Sequence, residues 1–122
     1  MTLSTENIEN FIEEYKKCTE ICAATDYADK AAVKKHNKSV DRMDVIVETV
    51  ASQGPSAIDR LAVLLDDDTA GRWLAFQLLD RVKVAPTVEK KCLSLIKKQA
   101  SGKSPDALGA KYWLKEYKRR KR

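Results

Sequence analysis

The chain has no apolar run approaching the ~20 residues that a membrane span requires, so a transmembrane role is excluded. No segment alternates polar and apolar residues long enough to suggest a strand, which leaves helix as the only regular structure. Histidine occurs once, at His36, and any His-dependent acid–base or nucleophilic mechanism must pass through it. Its neighbours Lys34, Lys35 and Lys38 do not orient an imidazole as a carboxylate would, and no Ser or Cys sits in a nucleophile motif. No catalytic set is expected. Glycine is present only four times and forms no phosphate loop, so a nucleotide cofactor has no support. Cys18, Cys22 and Cys92 are an odd number, and Glu6 and Glu9 stand where a secretory signal would need an apolar core. A cytoplasmic protein without disulfides is expected. Cys18 and Cys22 lie one helical turn apart, but a Zn2+ site would have only His36 and Cys92 to complete it. Buried thiols, with no metal and no cofactor, are the expectation.

What is plentiful is charge, at 34% of residues, and it is unevenly placed. Residues 1–29 carry seven acids against Lys16 and Lys17, a net of −5, while residues 83–122 carry thirteen Lys/Arg against three acids, a net of +10. Opposite ends therefore favour opposite partners. A length of 122 residues fits one domain, 1–122, able to bury a modest core.

Proline and glycine divide the chain into helices. Ile8, Phe11, Ile12, Tyr15, Cys18 and Cys22 recur at helical spacing and predict a helix over 5–24. Asp26 offers an N-cap to a second over 27–52, carrying Val33, His36, Val40, Met43, Val47, Val50 and Ala51, with a break foreseen near Asn37–Ser39 and Gly54 as its C-terminal cap. Pro55, Pro86 and Pro105 sit where a proline is tolerated, at the first turn of helices over 55–66, 86–100 and 105–119. A further helix over 69–83 takes Asp68 as its cap. Leu61, Leu64, Leu65, Leu74, Leu78, Cys92, Ile96, Leu108, Leu114 and Tyr117 are among the expected core residues. A 31-residue offset aligns Pro55 with Pro86, Leu61 with Cys92, Leu65 with Ile96 and Val82 with Trp113, the weak self-similarity of stacked helix pairs. The expected fold is all-α, with about six helices in three stacked antiparallel hairpins and a HEAT-like short solenoid. The run of like charge at 118–122 is expected to fray.

Four constellations bear on function. Asp66–Asp67–Asp68 lacks the alternate spacing, the Gly and the distal Glu of a calcium loop, so capping and dipole roles are expected of it. Asp67, Arg72 and Trp73 lie at a hairpin junction, where Arg72 is expected to reach back to the acidic turn; Trp and Arg are also the residues enriched at interface hot spots. Glu6, Glu9 and Glu13, with Glu14 and Glu20, give an acidic helix suited to a basic protein partner. Lys111, Lys115, Lys118, Arg119 and Arg120, interleaved with Tyr112, Trp113 and Tyr117, give the alternative, a phosphate-backbone contact. Its discriminating feature is whether Lys90, Lys97 and Lys111 point from one face.

From about Asn37 to Lys118 the sequence resembles a bacterial family of short HEAT-like proteins, domain of unknown function two thousand and nineteen. The resemblance is carried by Leu61, Leu64 and Leu65, the acidic turn, Arg72-Trp73 with Ala75, Leu78 and Leu79, and the closing Ala110 and Leu114-Lys-Glu-Tyr117. It departs at Gly71, where an apolar residue is expected, and at Tyr117, where Trp is usual. The resemblance implies a bacterial immunity protein, expected to be monomeric in a 1:1 complex, that binds and neutralises the toxin domain of a contact-dependent growth inhibition system; a nuclease is the toxin class whose basic surface the acidic first helix would complement. Nucleic acid is a partner only in the alternative, and no membrane partner is expected.

Overall fold

A computed structural model describes residues 5–103 and 105–121, and the side chains of 7–103 and 107–120. Among these residues all regular structure is helical: α1 (Thr5–Ala23), α2 (Lys30–Ala51), α3 (Pro55–Leu61), a 3-10 turn (Ala62–Asp66), α4 (Asp68–Arg81), α5 (Pro86–Ala100) and α6 (Pro105–Lys121). The three prolines do begin helices. At Gly54, φ is +103°, a conformation that favours glycine, and the reversal there lets α3 start immediately after α2.

The caps differ from expectation by one acidic residue at two places. Asp29 caps α2, accepting from the amides of Ala31 at 2.9 Å and Ala32 at 3.5 Å, while Asp26 closes the preceding turn by accepting from Ala28 N at 3.0 Å. Asp67, not Asp68, caps α4, accepting from Thr69 N at 3.1 Å and Ala70 N at 2.9 Å. Each Asp has the same local chemistry, so the choice falls to whichever one the packed helix reaches first. No break occurs near Asn37–Ser39, because Ser39 is itself buried and α1 packs along α2. α3 ends as an α-helix at Leu61 and tightens into the 3-10 turn. α6 carries Lys118, Arg119 and Arg120 on helix through Lys121.

α4 is the centre of the molecule. It packs against α1, α2, the 3-10 turn and α5; α1 also packs on α2, and α5 on α6. Leu74 and Leu78 are fully buried on α4, facing Tyr15, Met43, Ile46, Leu61 and Ile96, each also fully buried. Burying one such aliphatic side chain contributes about 1.5–3 kcal/mol. Gly71 marks the closest approach: a Cβ there would lie 2.6 Å from the carbonyl oxygen of Leu65, so the 3-10 turn and α4 meet backbone to backbone. A glycine at this position is thus required by this contact.

Two expectations about the core are corrected. Leu108 is 54% exposed, because it lies on the side of α6 away from α4 and α5, whereas Ile46, Ala57 and Gln77 are buried without having been counted in the core. The 31-residue offset relates the starts of α3 and α5 but not those of their partners: Asp68 would map onto Gln99, inside α5, instead of onto Pro105. The α5–α6 pair has a longer first helix than the pair before it.

Candidate functional site

A ridge of rings runs across α2, α4 and α6: His36, Trp73, Phe76 and Trp113 are half-buried, Tyr117 is buried, and Tyr27, in the turn before α2, is exposed. Tyr27 meets His36 with ring centroids 5.7 Å apart, and His36 meets Trp73 at 5.9 Å, both edge to face. One turn along α4, Phe76 meets Trp113 edge to face at 5.3 Å, and Trp113 stacks on Tyr117 at 4.9 Å. The Arg120 guanidinium lies over Tyr117, 5.8 Å from its centroid. Such pairings add about 0.5–1.5 kcal/mol each beyond burial and hold the rings in fixed orientations. Asp80 anchors the far end, accepting from Trp113 Nε1 at 3.1 Å and pairing with Arg120 at 3.4 Å.

A polar chain runs beneath the near end. The fully buried Tyr15 hydroxyl donates to Gln77 Oε1, and Gln77 Nε2 donates to Asp44 Oδ1 at 3.0 Å. Asp44 also meets Arg81 Nε at 2.9 Å, and Arg81 reaches Glu48 at 2.8 Å. Burial first, then the Asp44 charge, pushes the Tyr15 hydroxyl far above its ordinary pKa, so it is a permanent donor. The chain fixes the register of α1 and α2 on α4.

The acidic residues of α1 are divided by the fold. Glu9 is ion-paired to Arg60 of α3, and Glu14 to Arg42 of α2, with Arg42 Nη2 donating at 2.9 Å to Glu14 Oε1. That hydrogen bond holds the Glu14 carboxyl below its usual range. Glu13 and Glu20 remain exposed, and the side chain of Glu6 lies outside the described residues. The α1 surface is therefore less acidic toward a partner than its composition suggests.

The junction differs as well. Asp67 serves α4 as its cap, and the amides of Ala70 and then Thr69, with Lys16 at 3.7 Å, lower its pKa. Asp66 pairs with Lys91 at 2.7 Å. Lysines of α1 and α5, and not Arg72, brace the acidic turn. Arg72 is exposed and forms no ion pair among the described residues, while Trp73 beside it is half-buried in the ridge. The two residues stay adjacent, and Asp67 is separated from them by its capping role.

Of the basic candidates, Arg119 pairs with Glu116 at 3.5 Å and Arg120 with Asp80, but Lys111, Lys115 and Lys118 are exposed without an ion pair among the described residues. The three thiols are buried, and burial pushes all of them up, Cys92 to about 11, so they stay protonated. No group of three His, Cys, Asp or Glu among the described residues is placed to hold a metal ion. No described helix is long and apolar enough to cross a membrane. Phe76, Asp80 and Tyr27 belong to the ridge and were missed; the spacing of Trp73 with Phe76 and of Trp113 with Tyr117, three and four residues, was the available signal. Comparison with models of protein families, with curated proteins and with solved structures finds no match for this chain.

Proposed function

We propose that this chain is a non-catalytic protein-binding module, most concretely a cytoplasmic immunity protein that joins a toxin domain in a 1:1 complex and blocks its activity. The observation that carries the binding role is the ridge formed by His36, Trp73, Phe76, Trp113 and Tyr117, with Arg72, exposed and without an ion pair among the described residues, beside it. Half-buried Trp73 and Trp113, held by ring contacts and next to exposed Arg72, are of the side-chain types that anchor interfaces with little ordering entropy to lose. The toxin as occupant follows from the family resemblance, and Glu13 and Glu20 are the α1 residues left to steer a basic nuclease. A short HEAT-like stack is the architecture that goes with this role.

The test is co-expression with the product of the adjacent upstream gene. Cells are expected to be protected, and a 1:1 complex to survive gel filtration at micromolar concentration. Trp73→Ala is expected to weaken the complex roughly 30-fold, the effect of losing ~2 kcal/mol at a hot spot. Unprotected cells and no complex would sink the immunity role. Protection that is indifferent to Trp73→Ala and Trp113→Ala would move the interface off the ridge.

A further inference from the structure

We infer that the outer seam between α5 and α6 is a second binding surface, one that takes the phosphate backbone of a nucleic-acid duplex. Its groups are Lys90 and Lys97 of α5 and Lys111, Lys115 and Lys118 of α6, all exposed and without an ion pair among the described residues.

Their common direction follows from what each helix touches. α6 turns Trp113 and Arg120 toward Phe76 and Asp80 of α4. At roughly 100° per residue, Lys111, Lys115 and Lys118 lie on the opposite edge of α6. On α5, Lys91 marks the edge facing the 3-10 turn, where it meets Asp66, while Glu89 marks the edge facing α6, where it accepts from the Tyr117 hydroxyl. Lys90 and Lys97 fall on the outer side of that second edge. In this antiparallel pair the Glu89–Tyr117 bond sets Lys90 beside Lys118 and Lys97 beside Lys111, so both lysine sets border one seam. A shallow depression lined by Pro86, Glu89, Lys90, Leu93, Ser94 and Lys97 runs along its α5 side.

The dimensions and composition suit a phosphate strand. Lys111 to Lys115 spans about 6 Å of helix rise, and packed helices lie about 8–10 Å apart, giving a cationic patch that covers several backbone charges spaced about 3.4 Å apart per strand. Among the described residues the acids of the seam are Glu89, which accepts from the Tyr117 hydroxyl, and Glu116, which pairs with Arg119, and the five lysines outnumber them. A lipid surface would want a broad apolar face beneath the lysines, and the exposed apolar side chains on α6 are Leu108 and Tyr112 alone among its described residues. The lysines contact backbone and not base edges, so sequence preference is not expected. This surface lies on the edge of α6 away from the aromatic ridge, so its test stands apart from that of the toxin complex.

The experiment is fluorescence anisotropy with the full chain and a labelled mixed-sequence duplex, titrated between 0.03 and 0.2 M salt. Binding should weaken with a log–log salt slope of about −3 to −5, each neutralised phosphate contributing about −0.9. Replacing Lys111 and Lys118 together by Gln should flatten the slope by about 2 and weaken binding roughly 10–100-fold at 0.1 M salt. Lys34→Gln with Lys35→Gln removes the same charge from α2 and should leave the slope unchanged; circular dichroism confirms that both variants are folded. Three results overturn the proposal: no duplex binding at 0.03 M salt, an equal loss in the α2 variant, or equally tight Lys111- and Lys118-dependent binding to vesicles of anionic lipid.

Discussion

α4 meets α2 and α6 by different means. Toward α2 it offers Gln77 and Arg81, which engage Asp44 and Glu48 through directional bonds, with the buried Tyr15 hydroxyl of α1 completing the chain. Toward α6 it offers Phe76 and Asp80, which engage the edge of Trp113 and its indole N–H. The first seam is specific because a shift of one residue would strand a buried donor or acceptor. The second rests on ring contacts and an exposed indole N–H bond, so a shift there costs packing and leaves no fully buried polar group stranded. The polar seam fixes the register of the N-terminal helices, and the ring contacts fix the orientation of Trp113 and Tyr117.

The comparison can be broken most severely where both seams depend on the same core. Leu74→Ala should lower unfolding free energy by about 2–5 kcal/mol in urea titration, since Leu74 is fully buried at the centre of α4. A loss below 1 kcal/mol would mean that α4 is not central. Next is the polar seam alone. Gln77→Ala strands the Tyr15 hydroxyl and should cost about 1–3 kcal/mol. Asp80→Ala on the aromatic seam should cost under about 1 kcal/mol, as exposed pairs do, and if the two variants prove equal the seams are not different in kind.

A smaller effect belongs to the cap between them. Asp67→Ala should cost about 0.5–2 kcal/mol. The Asp67 carboxyl is lowered in the folded protein by amide hydrogen bonds, so its contribution is present above its unfolded pKa, near the ordinary value of 3.8, and is lost as pH falls below it. Asp67→Asn should therefore flatten the acid limb of the stability curve below about pH 4; an unchanged acid limb would remove Asp67 from that account. Smallest of all, Lys97→Ala should change stability by no more than ~0.5 kcal/mol, because it touches neither seam.

Much of this organisation is legible along the chain, and the exceptions share a cause. Pro55, Pro86 and Pro105 locate helix starts because a missing N–H and a fixed φ are local facts. The exchange of Asp26 for Asp29 and of Asp68 for Asp67 is a choice among equivalent local caps, settled by packing. Gln77 is different. Nothing near it in sequence indicates Tyr15 or Asp44, so a helix-facing Gln reads as solvated until the three helices meet. Gly71 reads as a weakened helix for the same reason, since the carbonyl it accommodates belongs to another element. The charges of α1 look available by composition, and only the fold assigns Glu9 to Arg60 and Glu14 to Arg42. Of the candidate site, Trp73 and Arg72 were legible as neighbouring candidates, but the ring contacts that link Trp73's helix to Trp113 were not.

The Tyr15 hydroxyl has one further consequence, as a clock. Its proton is sealed between α1 and α4, and solvent reaches it only when α1 lifts from Gln77. In deuterated buffer that single proton would exchange at the rate of this opening, ahead of complete unfolding if α1 is a separate cooperative unit. A buried hydroxyl thus times the motion of the helix that carries it, independently of the backbone amides on either side.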